Sequence, residues 1–310
     1  MAQVTCLGIL VADLVGKPVD VYPERGKLVL VDQLELHTGG CAANTGVGLA
    51  RIGIDTAVMG KVGSDGLGDF MVGYMQRNSV DARGVVRDAK VGTSGTMVMV
   101  HGDGERSFIH YLGANACLSE ADVNFDLIKG SKILHVAGTF LMPGFDGEPT
   151  ARILKKAQEM GITTTLDTAW DSKGQWMNVI KPCLPYIDYI VPSIAEAQQV
   201  TGKTDPSDVA KVFMDHGVKV VGLKMGEEGC YIRSADEEIR IPRFNVKAID
   251  ALGAGDAFAA GFLTGIVQGW DLEKTGRFAN ATGAHCVMAL GATTGIKSME
   301  EILAFMNAQG

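Results

Sequence analysis

The chain of 310 residues sets 28 Lys and Arg against 36 Asp and Glu, a formal net charge of -8, which excludes a broad electrostatic grip on nucleic acid or anionic membrane because those partners are held by clustered basic residues. With 46% hydrophobic and 21% charged residues, it is neither disordered nor fibrous and can bury a large core without disulfides or a structural metal. Cys6, Cys41, Cys117, Cys183, Cys230 and Cys286 are scattered with no C-x-x-C pair, so neither a zinc site nor a redox motif is expected, and a reducing cytoplasm is the simplest location.

The opening "MAQVTCLGILVADLV" lacks a basic leader and is interrupted by Asp13, so it predicts one buried first strand rather than a signal peptide. No apolar run approaches the roughly 20 residues of a membrane-spanning helix. "LVLVDQLEL", Leu28 to Leu36, predicts a strand. "GGCAANTGVGLARIG" follows, a slim helix from Gly40 to a stop at Gly53. "KVGSDGLGDF" supplies a turn and a helix start around Gly63, Asp65, Gly66 and Gly68. Thr96 to Leu112 then predicts two antiparallel strands about a His-Gly-Asp-Gly turn.

From Lys132 the rhythm changes to short apolar runs ("KILHVAG", "ITTTLD", "YIDYIVP", "VKVVGLKMG") alternating with helical segments such as "EPTARILKKAQEM" and "PSDVAKVFMDHG". That alternation predicts an α/β fold whose mostly parallel sheet is covered by helices on both faces. Two helices joined near Gly269 to Leu272, a glycine-rich loop and a last helix from Ser298 complete the chain. No linker or repeat divides it, so residues 1–310 read as one domain with an inserted β flap.

"DALGAGDAFAAGF", Asp250 to Phe262, places two carboxylates and three glycines at the mouth of an apolar helix. Glycine there lets the backbone turn sharply and a ligand approach the first amides, which lack intrahelical acceptors and carry the positive end of the helix dipole. The amides of Ala254, Gly255 and Asp256 can therefore cradle a phosphoryl group without a basic residue. Asp256 beside that group reads either as an acceptor of a proton from an attacking hydroxyl or as an ordinary N-cap. "HTGGCAANTG" offers Gly39, Gly40 and Asn44 to a polyhydroxylated ligand, or is a tight strand-to-helix turn with Asn44 exposed. "KVGSDGLGDF" is ordinary turn chemistry when taken alone.

Together and in this order the three motifs resemble the ribokinase-like (PfkB) carbohydrate kinase family over nearly the whole chain. Gly39, Gly40 and Asn44 match its N-terminal signature, Gly63, Asp65 and Gly68 its G-x-D-x-x-G element, and Asp250 to Phe258 its complete D-x-x-G-A-G-D-x-F signature. The resemblance implies a three-layer ribokinase-like fold with a small β-sheet lid built from segments about 14–38 and 91–112. It also implies transfer of the γ-phosphoryl of ATP to a primary hydroxyl of a carbohydrate, with Asp256 as catalytic base and Gly253, Ala254 and Gly255 as the anion hole. Asp13 would bond sugar hydroxyls, with Gly39, Gly40 and Asn44 as neighbours.

By the same resemblance Glu196 organises Mg2+ through water, although Ser193 stands where the family's N-x-x-E element has Asn. Lys224 and Gly226 border the nucleotide phosphates, with Lys224 where a small hydroxyl residue is common. Asn280 and Gly291, with Ala292, wall the adenine pocket. Asp250 would hold a monovalent cation such as K+ together with the 291–292 loop, where Leu252 offers only its carbonyl. Open lid edges and an apolar lid face imply a homodimer through the lid.

Two rivals share these features. A nucleoside kinase uses the same fold and phosphate machinery, and Arg106, His110 and Tyr111 on the lid fit a sugar acid, a base or mutual pairing equally well. A catalytically silent sugar-binding protein is the other, favoured by Ser193 and opposed by the intact Asp256. A dinucleotide oxidoreductase is a weaker alternative still, for want of a G-x-G-x-x-G after the first strand.

Overall fold

All five residues of the first strand, Val4–Gly8, are buried, with Val4 and Cys6 in one hydrophobic cluster and Leu7 in another. A strand buried on both faces belongs in the interior of a parallel sheet, and there the computed structural model, which describes residues 2–103 and 105–309, places it, third from one edge. In chain order the strands are β1 (Val4–Gly8), β2 (Val11–Lys17), β3 (Gln33–Gly39), β4 (Thr56–Gly63), β5 (Asp81–Asp88), β6 (Gly95–Val100), β7 (Arg106–Tyr111), β8 (Ile133–Thr139), β9 (Thr163–Thr168), β10 (Tyr189–Ile190), β11 (Val220–Lys224), β12 (Cys230–Arg233) and β13 (Glu238–Ile241). The helices are α1 (Cys41–Ile52), α2 (Gly66–Arg77), α3 (Phe125–Ile128), α4 (Glu148–Glu159), α5 (Met177–Ile180), α6 (Ile194–Thr201), α7 (Pro206–Asp215), α8 (Ala254–Gln268), α9 (Leu272–Val287) and α10 (Met299–Ala308).

Nine strands form one sheet in the order β13-β12-β11-β10-β9-β8-β1-β4-β5, parallel from β5 through β11 and closed by the antiparallel β12 and β13. Side chains of α4, α6 and α7 bury against one face, and those of α1, α2, α8, α9 and α10 against the other. The result is the three-layer α/β fold that the alternating runs predict. The slim face of α1 permits its approach to α8: a Cβ on Gly48 would lie 3.0 Å from that of Ala260.

The remaining strands form a four-stranded sheet, β3-β2-β6-β7, the small lid of the ribokinase-like fold. Its hairpin-like pairs β2/β3 and β6/β7 are antiparallel, but β2 and β6 run parallel. One row in register across all four strands is apolar and open, comprising Leu36, Leu14, Met97 and Ile109.

Two sequence expectations are corrected. The apolar opening is two strands in different sheets, because the chain leaves the main sheet after Gly8 and enters the lid at Val11. Between them the Asn115 amide replaces a neighbouring strand, accepting from Leu10 N and donating to Leu10 O at 3.1 Å each. The strand expected at Leu28 begins only at Gln33, paired with Lys17. β2 stops before Pro18, which has no N–H to donate, so residues 28–31 lack a partner and lie exposed.

Candidate functional site

The mouth of α8 owes its shape to Gly253, whose φ of +75° is left-handed and whose missing Cβ would lie 2.5 Å from that of Ala292. The first intrahelical bond runs from Ala257 N to Gly253 O at 2.8 Å, so the amides of Gly255 and Asp256 precede it and point out of the helix end. The dipole adds roughly half a positive charge there. This is the turn where the sequence suggested an anion hole, but of the three amides expected there that of Ala254 is spent on Ala251 O at 3.3 Å.

Asp256 is not a conventional cap, since α8 has Gly253 at that position and no side-chain cap bond. Its Oδ2 accepts from Asn44 Nδ2 at 2.8 Å. Burial pushes the Asp256 carboxyl above the ordinary range, while the Asn44 amide and the Lys224 ammonium pull it down. Asn44 is buried, not exposed, and its Oδ1 has no partner among the described residues, which leaves an acceptor for a hydroxyl.

Asp13, at the start of β2, joins the same chamber. It is 7% exposed, and burial, with a smaller contribution from the Asp256 charge, raises its carboxyl to about 6, opposed by the Thr96 hydroxyl and by His37. The Gly-Gly pair has a steric reason: any side chain at Gly39 would collide with the Asp13 carboxylate. Gly40 takes φ +89° as N-cap of α1. Asp13, Gly39, Gly40, Asn44 and Asp256 are thus assembled. Asp65, by contrast, caps α2 through Gly68 N and takes two bonds from Thr93, which is structural work.

On the other side of the turn lies a cavity of about 300 Å³ lined by Lys224, Gly226, Ala254, Gly255 and Asn280 and walled by Phe244, Val246, Phe258 and Val287. Its walls are mostly apolar, Lys224 lies beside Gly255, and Glu227 and Arg243 also line it, a mixture that can take a nucleoside with its phosphates. Asn280 lines it but spends its Nδ2 on Ile241 O and Pro242 O, both at 3.1 Å. Gly291 is not among the lining residues; its N–H goes to Asp250 Oδ2 at 2.9 Å.

Ser193 and Glu196 form a capping box on α6, and Glu196 Oε2 also accepts from Thr168 Oγ1 at 2.9 Å. Glu196 is therefore turned inward and only half-exposed. Among the described residues no group of three or more His, Cys, Asp and Glu could hold a metal. Magnesium keeps most of its waters and needs only one or two carboxylates besides phosphate; the bonds found to the Glu196 carboxylate, from Thr168 Oγ1 and Ser193 N, both fall on Oε2, so its other oxygen fits that role.

Asp250 does not fit a monovalent cation. Its Oδ1 takes Arg106 Nη2 at 2.6 Å and Leu252 N at 2.8 Å, and its Oδ2 takes Gly291 N. A guanidinium from β7 of the lid already neutralises it, holding its carboxyl below the usual range against the effect of burial.

Sequence reasoning missed Asp167. It is the penultimate residue of β9, is 1% exposed, and binds Lys224 Nζ through both oxygens at 2.8 and 2.7 Å. The available signal was a lone acid closing the apolar run "ITTTLD", at the carboxyl edge where open α/β sheets bind ligands. Among the described residues no helix is long and apolar enough to cross a membrane.

The profile of the pfkB family carbohydrate kinase matches residues 1–299. A 2-dehydro-3-deoxygluconokinase of Bacillus subtilis is 28% identical over 298 residues, covering 92% of this chain and 91% of the relative. A probable fructokinase-5 of Arabidopsis thaliana is 31% identical over 295 residues, covering 88% and 90%. The structure of Arabidopsis thaliana ribokinase complexed with ribose and ATP superposes with a TM-score of 0.86 at 23% identity, covering 98% of both chains.

Proposed function

Because this chain belongs to the pfkB family of carbohydrate kinases, an ATP-using group of phosphotransferases with alcohol acceptors, we propose that it moves the γ-phosphoryl of ATP to a primary hydroxyl of a sugar with Asp256 as general base. One observation carries the reading. The Asp256 carboxylate is bonded to Asn44 in the chamber of Asp13, while the amides of its own turn border the nucleotide cavity. The first turn of α8 thus joins the two, with Ala254 and Gly255 on the cavity and Asp256 on Asn44.

Asp13 and the unpartnered Asn44 Oδ1 hold sugar hydroxyls so that the reacting oxygen faces the first turn of α8. That oxygen bonds to the γ-phosphorus, its proton passes to an Asp256 carboxylate oxygen, and the phosphorus bond to the β–γ bridging oxygen breaks with its electron pair leaving on ADP. The Gly255 and Asp256 amides take the charge on the phosphoryl oxygens. Bound magnesium would offset phosphate charge, reached by Glu196 through water. Closure of the lid excludes water from the transfer. Support for the sugar class comes from relatives named for 2-dehydro-3-deoxygluconate and fructose.

The open apolar row of the lid, Leu36, Leu14, Met97 and Ile109, supports a homodimer joined lid to lid, since an uncovered row across a whole sheet marks an interaction face. For the activity itself the test is Asp256→Asn with coupled ADP detection and a panel of sugars, sugar acids and nucleosides. Turnover of a sugar should fall about 10⁴-fold with the fold intact. Near-normal turnover in the variant overturns the assignment of the base, and preferential use of adenosine or inosine overturns the free-sugar reading.

A further inference from the structure

Lys224 and Asp167 are not neighbours in the sheet. β10 lies between β11 and β9, but it is only two residues long, Tyr189–Ile190. The extended segment 191–193 carries on between them past β10, with Val191 N on Leu166 O, Lys224 N on Pro192 O and Ser193 bridged to Lys224, so the Lys224 side chain reaches across that segment to Asp167. The pair is enclosed, with side-chain exposures of 13% for Lys224 and 1% for Asp167. Taking two charges out of water is a heavy desolvation penalty, and such a pair contributes little net stability. An apolar pair would fill the space at least as well.

The position of the ammonium gives it another use. A Cβ on Gly255 would lie 3.4 Å from Lys224 Nζ, so the charge rests against the turn that holds the phosphoryl group, at the charged end of the nucleotide cavity. An ammonium has three N–H donors, and the Asp167 carboxylate engages it through both of its oxygens. No further acceptor for Nζ is found among the described residues apart from Asp167. Two other carboxylates face it, Glu196 from α6 and Asp256 from α8. Without Asp167 the ammonium would be drawn onto Asp256 and occupy the base.

We propose that Lys224 contacts the transferring phosphoryl group through its remaining N–H, and that Asp167 is the positioning residue that holds the ammonium there and away from Asp256. This rests on the kinase reading above. It makes Lys224 a catalytic residue in the sense of touching the reacting group, where charge spreads over the phosphoryl oxygens and a fixed cation stabilises it.

The test combines a double-mutant cycle with calorimetry on the full chain. Lys224→Met should lower kcat about 10²- to 10³-fold, as removal of one charge-stabilising group does. Asp167→Asn should lower kcat about tenfold or more alone, yet by less than about twofold in the Lys224→Met background, because it acts only through Lys224. Losses that multiply would show Asp167 to be merely structural and overturn its part. If Asp167→Asn fails to fold, Asp167→Glu, which keeps the charge but displaces it, takes its place in the cycle.

Isothermal titration needs no turnover. In Lys224→Met, a non-hydrolysable ATP analogue with magnesium should bind about tenfold more weakly while ADP changes less than about twofold. Equal losses for both nucleotides, or none, overturn the γ-phosphoryl contact. Asp256→Asn serves as the reference: it should abolish turnover and leave both affinities within about twofold. If the native protein phosphorylates no acceptor, the functional reading fails while the calorimetric arm still decides the placement of Lys224.

Discussion

Replacing Asp13 by Asn should stabilise the protein while impairing it. The carboxyl of Asp13 rises from the ordinary 3.8 to about 6, chiefly through burial. At about 1.4 kcal/mol per pH unit of difference, keeping it ionised in the folded state opposes folding by about 3 kcal/mol at pH 8. The native state binds this proton more tightly than the unfolded chain does, so the penalty appears as pH rises above 3.8, is about half complete near pH 5, and is full above 6. Asn keeps the shape beside Gly39 without the charge.

The two proteins are compared by urea unfolding at pH 4, 5 and 8. The variant should gain about 3 kcal/mol at pH 8, about 1.5 at pH 5 and about 0.5 at pH 4. Asp146, raised to about 6 by burial, and Asp167, which burial raises against the pull of the Lys224 ammonium, are common to both proteins and drop out of the difference. The sugar KM should rise about 100-fold for loss of a charged hydrogen-bond acceptor. A variant no more stable at pH 8, or a gap that does not shrink on acidification, refutes the argument that Asp13 is held charged for its ligand at the expense of the fold.

Arg106→Gln removes the guanidinium that ties the lid to Asp250, so kcat/KM should fall about tenfold through KM for the sugar, with partial recovery by millimolar guanidinium chloride in steady-state assays. Ser193→Ala deletes the N-cap of α6 and should lower unfolding stability by about 1 kcal/mol, whereas Ser193→Asn should keep it, since Asn caps as well. Leu14→Lys combined with Met97→Lys places charge in the open lid row. Sedimentation velocity should then show a monomer where the native protein is a dimer, and a native monomer at the same concentration would refute the lid contact.

Much of this was legible because it is local. The helix between Gly40 and Gly53, the mouth of α8 and the alternating units after Lys132 follow from capping glycines and apolar periodicity, which neighbouring residues decide among themselves. The sequence also brought Asp13, Asn44 and Asp256 to one list, and they share one chamber. What escaped depends on pairing at a distance. Nothing in "CLGILVAD" marks where the chain changes sheets, because both halves are equally apolar; the break is set by Asn115, 105 residues from Leu10. Arg106 and Asp250, 144 residues apart, are each ordinary alone. Lys224 was placed near the phosphates, but its partner could not be read, since Asp167 lies 57 residues away on a strand that is not its neighbour in the sheet.

The interior place of β1 bears on how the chain folds as it is made. It pairs Val4 with Thr56 on one side and with Ile133 on the other, so its second neighbour does not exist until well over a hundred further residues have been translated. Until then the nascent segment carries an unpaired apolar edge with the lid's β2 close behind it. Such long-separation parallel pairing is slow and prone to association, and a ribosome-stalled fragment ending before β8 should depend on chaperones far more than the finished protein.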